Sequence, residues 1–171
     1  MQFEVVHEFD IPLDALELAV ISPNLFQELS KRLHSIESVS QKEHVLSQGP
    51  HAKLDRLWSY RANVKIPSFA AKYVTPEMCA WDEKSTYDIR LHSSEWTILP
   101  HVKPEWRKLF AAQGTYTLEQ LSSGRTRRTV SGSIELRVPL VRQVAEKLIV
   151  GEVRKTFDAE AETLRELATL V

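Results

Sequence analysis

The stretch that most constrains this chain is Arg127 to Phe157, RRTVSGSIELRVPLVRQVAEKLIVGEVRKTF. It begins as an alternating strand with Gly132 at its middle, is closed by Pro139, and passes almost at once into a helix pattern from Leu140 to Leu170. Val130, Ile134, Leu136 and Val138 share one face of that strand, and Ala145, Ile149, Val153, Phe157, Ala161, Leu164 and Ala168 make one stripe of the helix. A helix with a single apolar stripe must bury it against another element, and the preceding strand is the nearest surface. Gly132 lies in phase with the apolar residues, where a missing side chain lets helix and sheet approach or lets the strand bend. Gly151 interrupts the helix, where glycine costs ~1 kcal/mol against alanine, and it is expected to mark a kink or the point where the helix crosses a cavity.

The rest of the chain supplies strands. Gln2 to Phe9 alternates, with Phe3, Val5, His7 and Phe9 on one face. Asp10 with Pro12, and Ser22 with Pro23, are helix-start signals; they open two short helices, one with Leu13, Leu16, Val20 and Ile21, the other with Leu25, Phe26 and Leu29. Leu33 to Leu46 reads as a strand with a wet face, and Ser47 to Pro50 as a turn. His51 to Ile66 places Leu54, Arg56, Trp58, Tyr60, Ala62, Val64 and Ile66 on one face, and a helical turn is expected around Phe69 to Tyr73. A fourth strand covers Cys79 to His92, with Tyr87, Ile89 and Leu91 in phase. The fifth holds Trp96, Ile98 and Val102, and is short because of Pro100 and Pro104. The sixth runs from Trp106 to Leu121 through Phe110, Ala112, Gly114, Tyr116 and Leu118. After the Ser122-Ser123-Gly124 turn, the seventh covers Arg125 to Val138. The pattern leaves open whether Trp81 and Trp106 face inward. Successive hairpins with one dominant helix argue for an α+β domain over residues 1–171, a curved antiparallel sheet of seven strands wrapped around the last helix.

That order resembles the helix-grip layout of the START/Bet v 1-like superfamily, also called SRPBCC. The chain is similar to one branch of it, bacterial START-like proteins of unknown function. The motifs that carry the likeness are GTYTLE at Gly114 to Glu119, SGRTRRTVSGSIELRVPLV at Ser123 to Val141, Glu146-Lys147, IPSFAAK at Ile66 to Lys72, and the FEVVHEF opening. One departure is Arg142-Gln143, where members commonly carry glycines. The resemblance implies a hydrophobic cavity between sheet and last helix, and supplies no substrate.

The candidate site is that cavity. Trp58, Tyr60, Tyr87, Trp96, Phe110 and Tyr116 fall on the expected concave side, facing Leu148, Ile149, Val153 and Phe157. Large aromatics that do not interdigitate leave a void suited to apolar ligands; the competing reading is a solid core. His7, Arg56 and Arg128 share the apolar phase. An inward arginine calls for a carboxylate or an anionic ligand group; one near a strand end reaches water instead. For His7 the competing reading is a histidine satisfied within the core. Arg125 to Arg128, and the charges Glu152, Arg154, Lys155, Asp158, Glu160, Glu162, Arg165 and Glu166 of the last helix, read as solvated faces.

Catalytic and metal signatures are missing from the sequence. His92, Glu95 and His101 are near one another in sequence, yet no HExxH or paired-cysteine motif occurs, and neither a nucleophile elbow nor a phosphate-binding loop is found. No cofactor is expected. Twenty-two Lys and Arg against 23 Asp and Glu leave a net charge of -1, so nothing draws the chain to nucleic acid. No segment reaches the ~20 apolar residues of a membrane span. A single cysteine, Cys79, and an acidic opening fit a cytoplasmic protein. The expected function is carriage or sensing of a small hydrophobic or lipid-like molecule, with Arg56, Arg128 or His7 orienting its polar end. A cyclase- or hydratase-like enzyme using an inward His or Tyr, and a protein-interaction module, are the alternatives. Ligand access would need movement of the last helix or of Pro67 to Glu77.

Overall fold

Alternation of apolar and polar residues builds one antiparallel sheet, because period two puts every second side chain on a common face. The computed structural model describes residues 1–63, 79–137 and 142–170, side chains of Trp106, Val144, Ala145 and Leu148 excepted. Its seven strands are β1 (Gln2–Phe9), β2 (Ile36–Leu46), β3 (Lys53–Ala62), β4 (Ala80–Asp88), β5 (Ser93–Pro100), β6 (Phe110–Ser122) and β7 (Arg125–Leu136). They lie in the order β1-β7-β6-β5-β4-β3-β2, so the N-terminal strand pairs with the last and leaves β1 and β2 as edges. Helices α1 (Leu13–Ile21) and α2 (Leu25–Ser30) follow β1, α3 (Pro104–Arg107) precedes β6, and α4 (Arg142–Ala168) ends the fold. This is the helix-grip architecture, with the two short helices between the first two strands.

The core sits between the inner sheet face and the helices. Its larger part joins Leu13, Leu16 and Val20 of α1, Leu25 and Leu29 of α2, and Ala161, Leu164 and Leu167 of α4 to Leu54, Tyr87 and Val130 of the sheet. Leu16, Leu54 and Leu164 are fully covered, and burial of each such side chain stabilises the fold by about 1.5–3 kcal/mol. A smaller part gathers Phe3, Val5, Trp96, Ala112, Ile134 and Val150, and Phe157 packs against both.

Several expectations need correction. The sixth strand does not begin at Trp106: the segment Pro104–Arg107 is a helical turn, consistent with proline at a first helical position, and pairing starts at Phe110. The fourth strand stops at Asp88; the Asp88 carboxylate accepts the backbone N–H groups of Arg90 and Leu91, and the turn leaves Leu91 60% exposed. Asp10 caps nothing, since α1 begins after Pro12 without a side-chain cap, and its carboxylate meets Arg125 at 3.2 Å instead. Gly132 does clear space, but for a side chain and not for the helix. A Cβ there would lie 2.5 Å from the Trp96 ring and 2.9 Å from Phe3. Gly114, its direct partner across β6 and β7, would bring a Cβ to 2.4 Å from the same indole. The glycine pair is the floor on which Trp96 lies. Gly151 sits within an unbroken α4, and a Cβ there would touch nothing within 4 Å. Val64, Ile66, the turn at Phe69 to Tyr73, the access segment Pro67 to Glu77, Val138, Pro139 and Leu140, and the inward or outward facing of Trp106, lie outside the described residues, as do the side chains of Ala145 and Leu148.

Candidate functional site

The inner face of the sheet carries charge at its centre. Arg128, on β7 opposite His7 of β1, is completely buried and does not reach water. Its Nη1 donates to Glu160 Oε2 at 2.9 Å, and its Nη2 donates to the Phe157 carbonyl at 2.6 Å. Nη2 also lies 3.2 Å from His7 Nδ1, whose Nε2 is 2.8 Å from Asp158 Oδ1. Because a guanidinium only donates, Nδ1 accepts and Nε2 carries the proton that goes to Asp158. Burial, aided by Arg128, holds the His7 pKa below its ordinary value. His7 is therefore a satisfied histidine, and Arg128 with His7 pins α4 to the sheet. Glu160, read from the sequence as part of the wet face of the last helix, is its buried anion.

Arg56 has no comparable pairing. It is 8% exposed, its guanidinium lies 4.9 Å from the Trp58 ring, and its one hydrogen bond among the described residues is Nη1 to the Val20 carbonyl at 3.4 Å. Among the described residues the Arg56 Nε, the Trp58 Nε1 and the Tyr116 hydroxyl are buried without a hydrogen-bond partner, as are the Arg128 Nε, the Trp96 Nε1 and the His44 Nδ1. Across the β3–β4 ladder Trp58 faces Glu83. Glu83 is half-buried. Burial raises its pKa to about 7; Glu160 pushes the same way and Arg56 opposes. Tyr60, also buried, and Tyr116 are likewise raised by burial. The Arg128 guanidinium lies 5.4 Å from the Tyr116 ring, and Arg128, Glu160 and Arg56 all act on that side chain's ionisation.

The other expected residues divide between this centre and its apolar flank. Tyr87 is inside, but its hydroxyl donates to Glu17 Oε1 at 2.7 Å and its ring meets Tyr116 edge-on. Trp96 and the partly buried Phe110, Ile149 and Val153 belong to the smaller cluster, with Phe157 6.4 Å from the Trp96 ring. Trp81 faces inward and stacks on Tyr60 at 5.4 Å. Of the basic run, Arg125 and Arg127 are solvated and pair with Glu8. His92 and His101 do not converge: one meets Glu17, the other Asp82. Among the described residues no group of three or more His, Cys, Asp or Glu side chains could hold a metal. A surface hollow of about 920 Å³, bordered by Glu4, Glu95, Gln113 and Arg154, touches neither arginine of the centre.

Sequence reasoning missed Glu83 and Glu160. Both were in reach of periodicity. Counting back by twos from Tyr87 passes through Ser85 to Glu83 and Trp81, and Glu160 adjoins the helical stripe through Phe157, Ala161 and Leu164.

Residues 4–167 match the profile of a family described as a protein of unknown function, DUF2505. The chain belongs to the DUF2505 family. No curated protein matches the sequence. Among solved structures, this DUF2505 chain is similar to TTHA0849 from Thermus thermophilus, with a TM-score of 0.59 and 16% identity, over 99% of this chain and 98% of that one. It is also similar to the Zhui aromatase/cyclase of Streptomyces sp. R1128, with a TM-score of 0.62 and 13% identity, over 99% and 93%. The norcoclaurine synthase of Thalictrum flavum superposes with a TM-score of 0.60 and 15% identity, over 95% and 84%. At these identities the likeness establishes the Bet v 1-like fold. Function is a separate matter, because one fold hosts many activities. Among the described residues no helix is long and apolar enough to cross a membrane.

Proposed function

We propose that this protein binds a small, mostly apolar molecule between the inner sheet face and α4, with the molecule's polar end at Arg56, Trp58, Glu83 and Tyr116. One observation carries the reading: buried donors on two neighbouring side chains, Arg56 and Trp58, have no hydrogen-bond partner among the described residues. Leaving such groups unpaired costs about 1–3 kcal/mol each, so a fold that retains them is served by a ligand that pairs them. Apolar surface for the ligand's body comes from Trp96, Phe110, Tyr116, Ile149, Val153 and Phe157. His7 and Arg128 hold α4 in place over it. A relative in fold, norcoclaurine synthase, has been solved in complex with dopamine and hydroxybenzaldehyde, and the transfer of small-molecule binding to this chain is part of the proposal. Native mass spectrometry of protein purified from its own host tests it: a retained small molecule is expected, and a bare chain mass would count against the reading. A cytoplasmic setting is part of the same proposal.

An enzymatic reading is favoured by one further observation. Of the inward acid–base groups, the tyrosines are raised and His7 is locked between Arg128 and Asp158, whereas Glu83 titrates near neutrality, where a general acid or base works best. Glu83, and not an inward His or Tyr, is therefore the group a cyclase- or hydratase-like reaction would use. Turnover of a substrate found bound in the native protein, unaffected by Glu83→Gln, would remove this reading.

A further inference from the structure

We infer that the interior takes a monoanionic ligand, an apolar molecule ending in a carboxylate, whose head docks on Arg56 beside Trp58, Glu83 and Tyr116. The inference rests on the proposed interior binding and adds the chemistry of the head group. Its first support is charge balance. Two guanidiniums, Arg56 and Arg128, are buried on the inner face, and Glu160 neutralises Arg128 through a 2.9 Å contact. Arg56 remains, held among the described residues only by a long bond to the Val20 carbonyl, and a guanidinium cannot discharge itself by losing its proton. A buried cation of this kind calls for an anion.

The second support is the polarity of the unpaired atoms. Arg56 Nε and Trp58 Nε1 can only donate, and the Tyr116 hydroxyl can donate as well. A donor set selects an acceptor. An amine would leave these groups unpaired and meet two guanidiniums. A doubly charged phosphate would exceed the single surplus charge and face Glu160 and Glu83. A carboxylate supplies one charge and two acceptor oxygens on a flat head that matches a guanidinium edge.

Glu83 makes the binding depend on pH. The groups that act on it are Arg56 and Tyr60 from β3 and Glu160 from α4. An anion at Arg56 removes the cation that favours ionised Glu83, so the complex holds Glu83 protonated, and the acid hydroxyl becomes one more donor to the head. Binding then takes up a proton at any pH where free Glu83 is ionised. With half-ionisation at about 7, affinity for the anion falls roughly tenfold from pH 6 to pH 8. His44, opposite Arg56 on β2, and His7 both have pKa values lowered by burial, with Arg56 acting on His44 and Arg128 on His7, so Glu83→Gln is the control that assigns the effect.

Isothermal titration calorimetry with decanoate against 1-decanol, and with 1-naphthoate against 1-naphthylmethanol, tests the inference at pH 6 and pH 8. In at least one pair the acid is expected to bind the wild-type protein at pH 6 at least tenfold more tightly than its alcohol. Arg56→Met is expected to erase that preference while keeping the alcohol's affinity, and Glu83→Gln to abolish the pH dependence. Acid and alcohol binding alike would overturn the anion inference and leave interior binding standing. Failure of all four probes to bind would remove both. The wild-type comparison decides without any variant, so a variant that fails to fold does not protect the inference.

Discussion

Replacing Glu83 by Gln should stabilise the protein at high pH and do little at low pH. The carboxyl is moved from its ordinary 4.5 to about 7 by burial and by Glu160. At 1.36 kcal/mol per pKa unit, the rise corresponds to roughly 3 kcal/mol of stability lost on ionisation. The sign follows from proton counting. Between pH 4.5 and 7 the folded chain holds a proton on Glu83 that the unfolded chain has released, so stability falls as pH rises through this window. Glutamine keeps the shape and cannot ionise, so the variant lacks the fall. Urea unfolding of both proteins at pH 4.5, 6, 7 and 8 measures it. The stability difference, variant minus wild type, should grow by roughly 3 kcal/mol over that range, most steeply between about pH 5 and 6.5. His7 and His44 are common to both proteins and drop out of the difference. A difference that stays constant with pH would show that Glu83 is not held in the half-buried setting described above.

Other outcomes are open to similar measurement. Glu160→Gln should cost about 3 kcal/mol or more in unfolding free energy, because it leaves the buried Arg128 without its anion. Gly132→Ala should destabilise by about 1–3 kcal/mol, since the new methyl would press on Trp96 and Phe3, and the altered Trp96 setting should show in near-UV circular dichroism. Gly151→Ala has the opposite sign: with open space around the new Cβ, a gain of up to ~1 kcal/mol in thermal or urea melts is expected. His7 has a lowered pKa, so its contribution is present above 6.5 and is lost as pH falls toward its folded value; His7→Asn should flatten that acid-side loss.

Much of this fold could be read without coordinates, for reasons tied to particular residues. Alternation through Phe3, Val5 and Phe9, or through Leu54, Trp58 and Tyr60, reports which face is buried, and the buried set in the structure is that set. The long stripe Phe157, Ala161, Leu164 made a covering helix unavoidable, because such a face has no stable place in water. Proline and glycine marked the breaks, although Pro104 opened a helical turn where a strand was expected. Boundaries slipped where local bonding decided, as at Asp88, whose carboxylate closes a turn that periodicity alone carried on to His92.

The candidate site was legible only in part. The sequence by itself determined that Arg56, Arg128 and His7 lie in apolar phase, and that the aromatics of the inner face share it. Only the tertiary structure decided which of those charges are answered. Arg128 meets Glu160 across 32 residues of chain, and His7 meets Asp158 across 151; such pairings depend on where α4 lands on the sheet. The same docking leaves Arg56, Trp58 and Tyr116 with groups unpaired among the described residues and sets Glu83 near enough to Glu160 for its ionisation to be opposed. Periodicity carries the direction of a side chain and nothing about its partner. Partnership is settled by distances between segments remote in sequence, and those exist only once the sheet has curved around the helix.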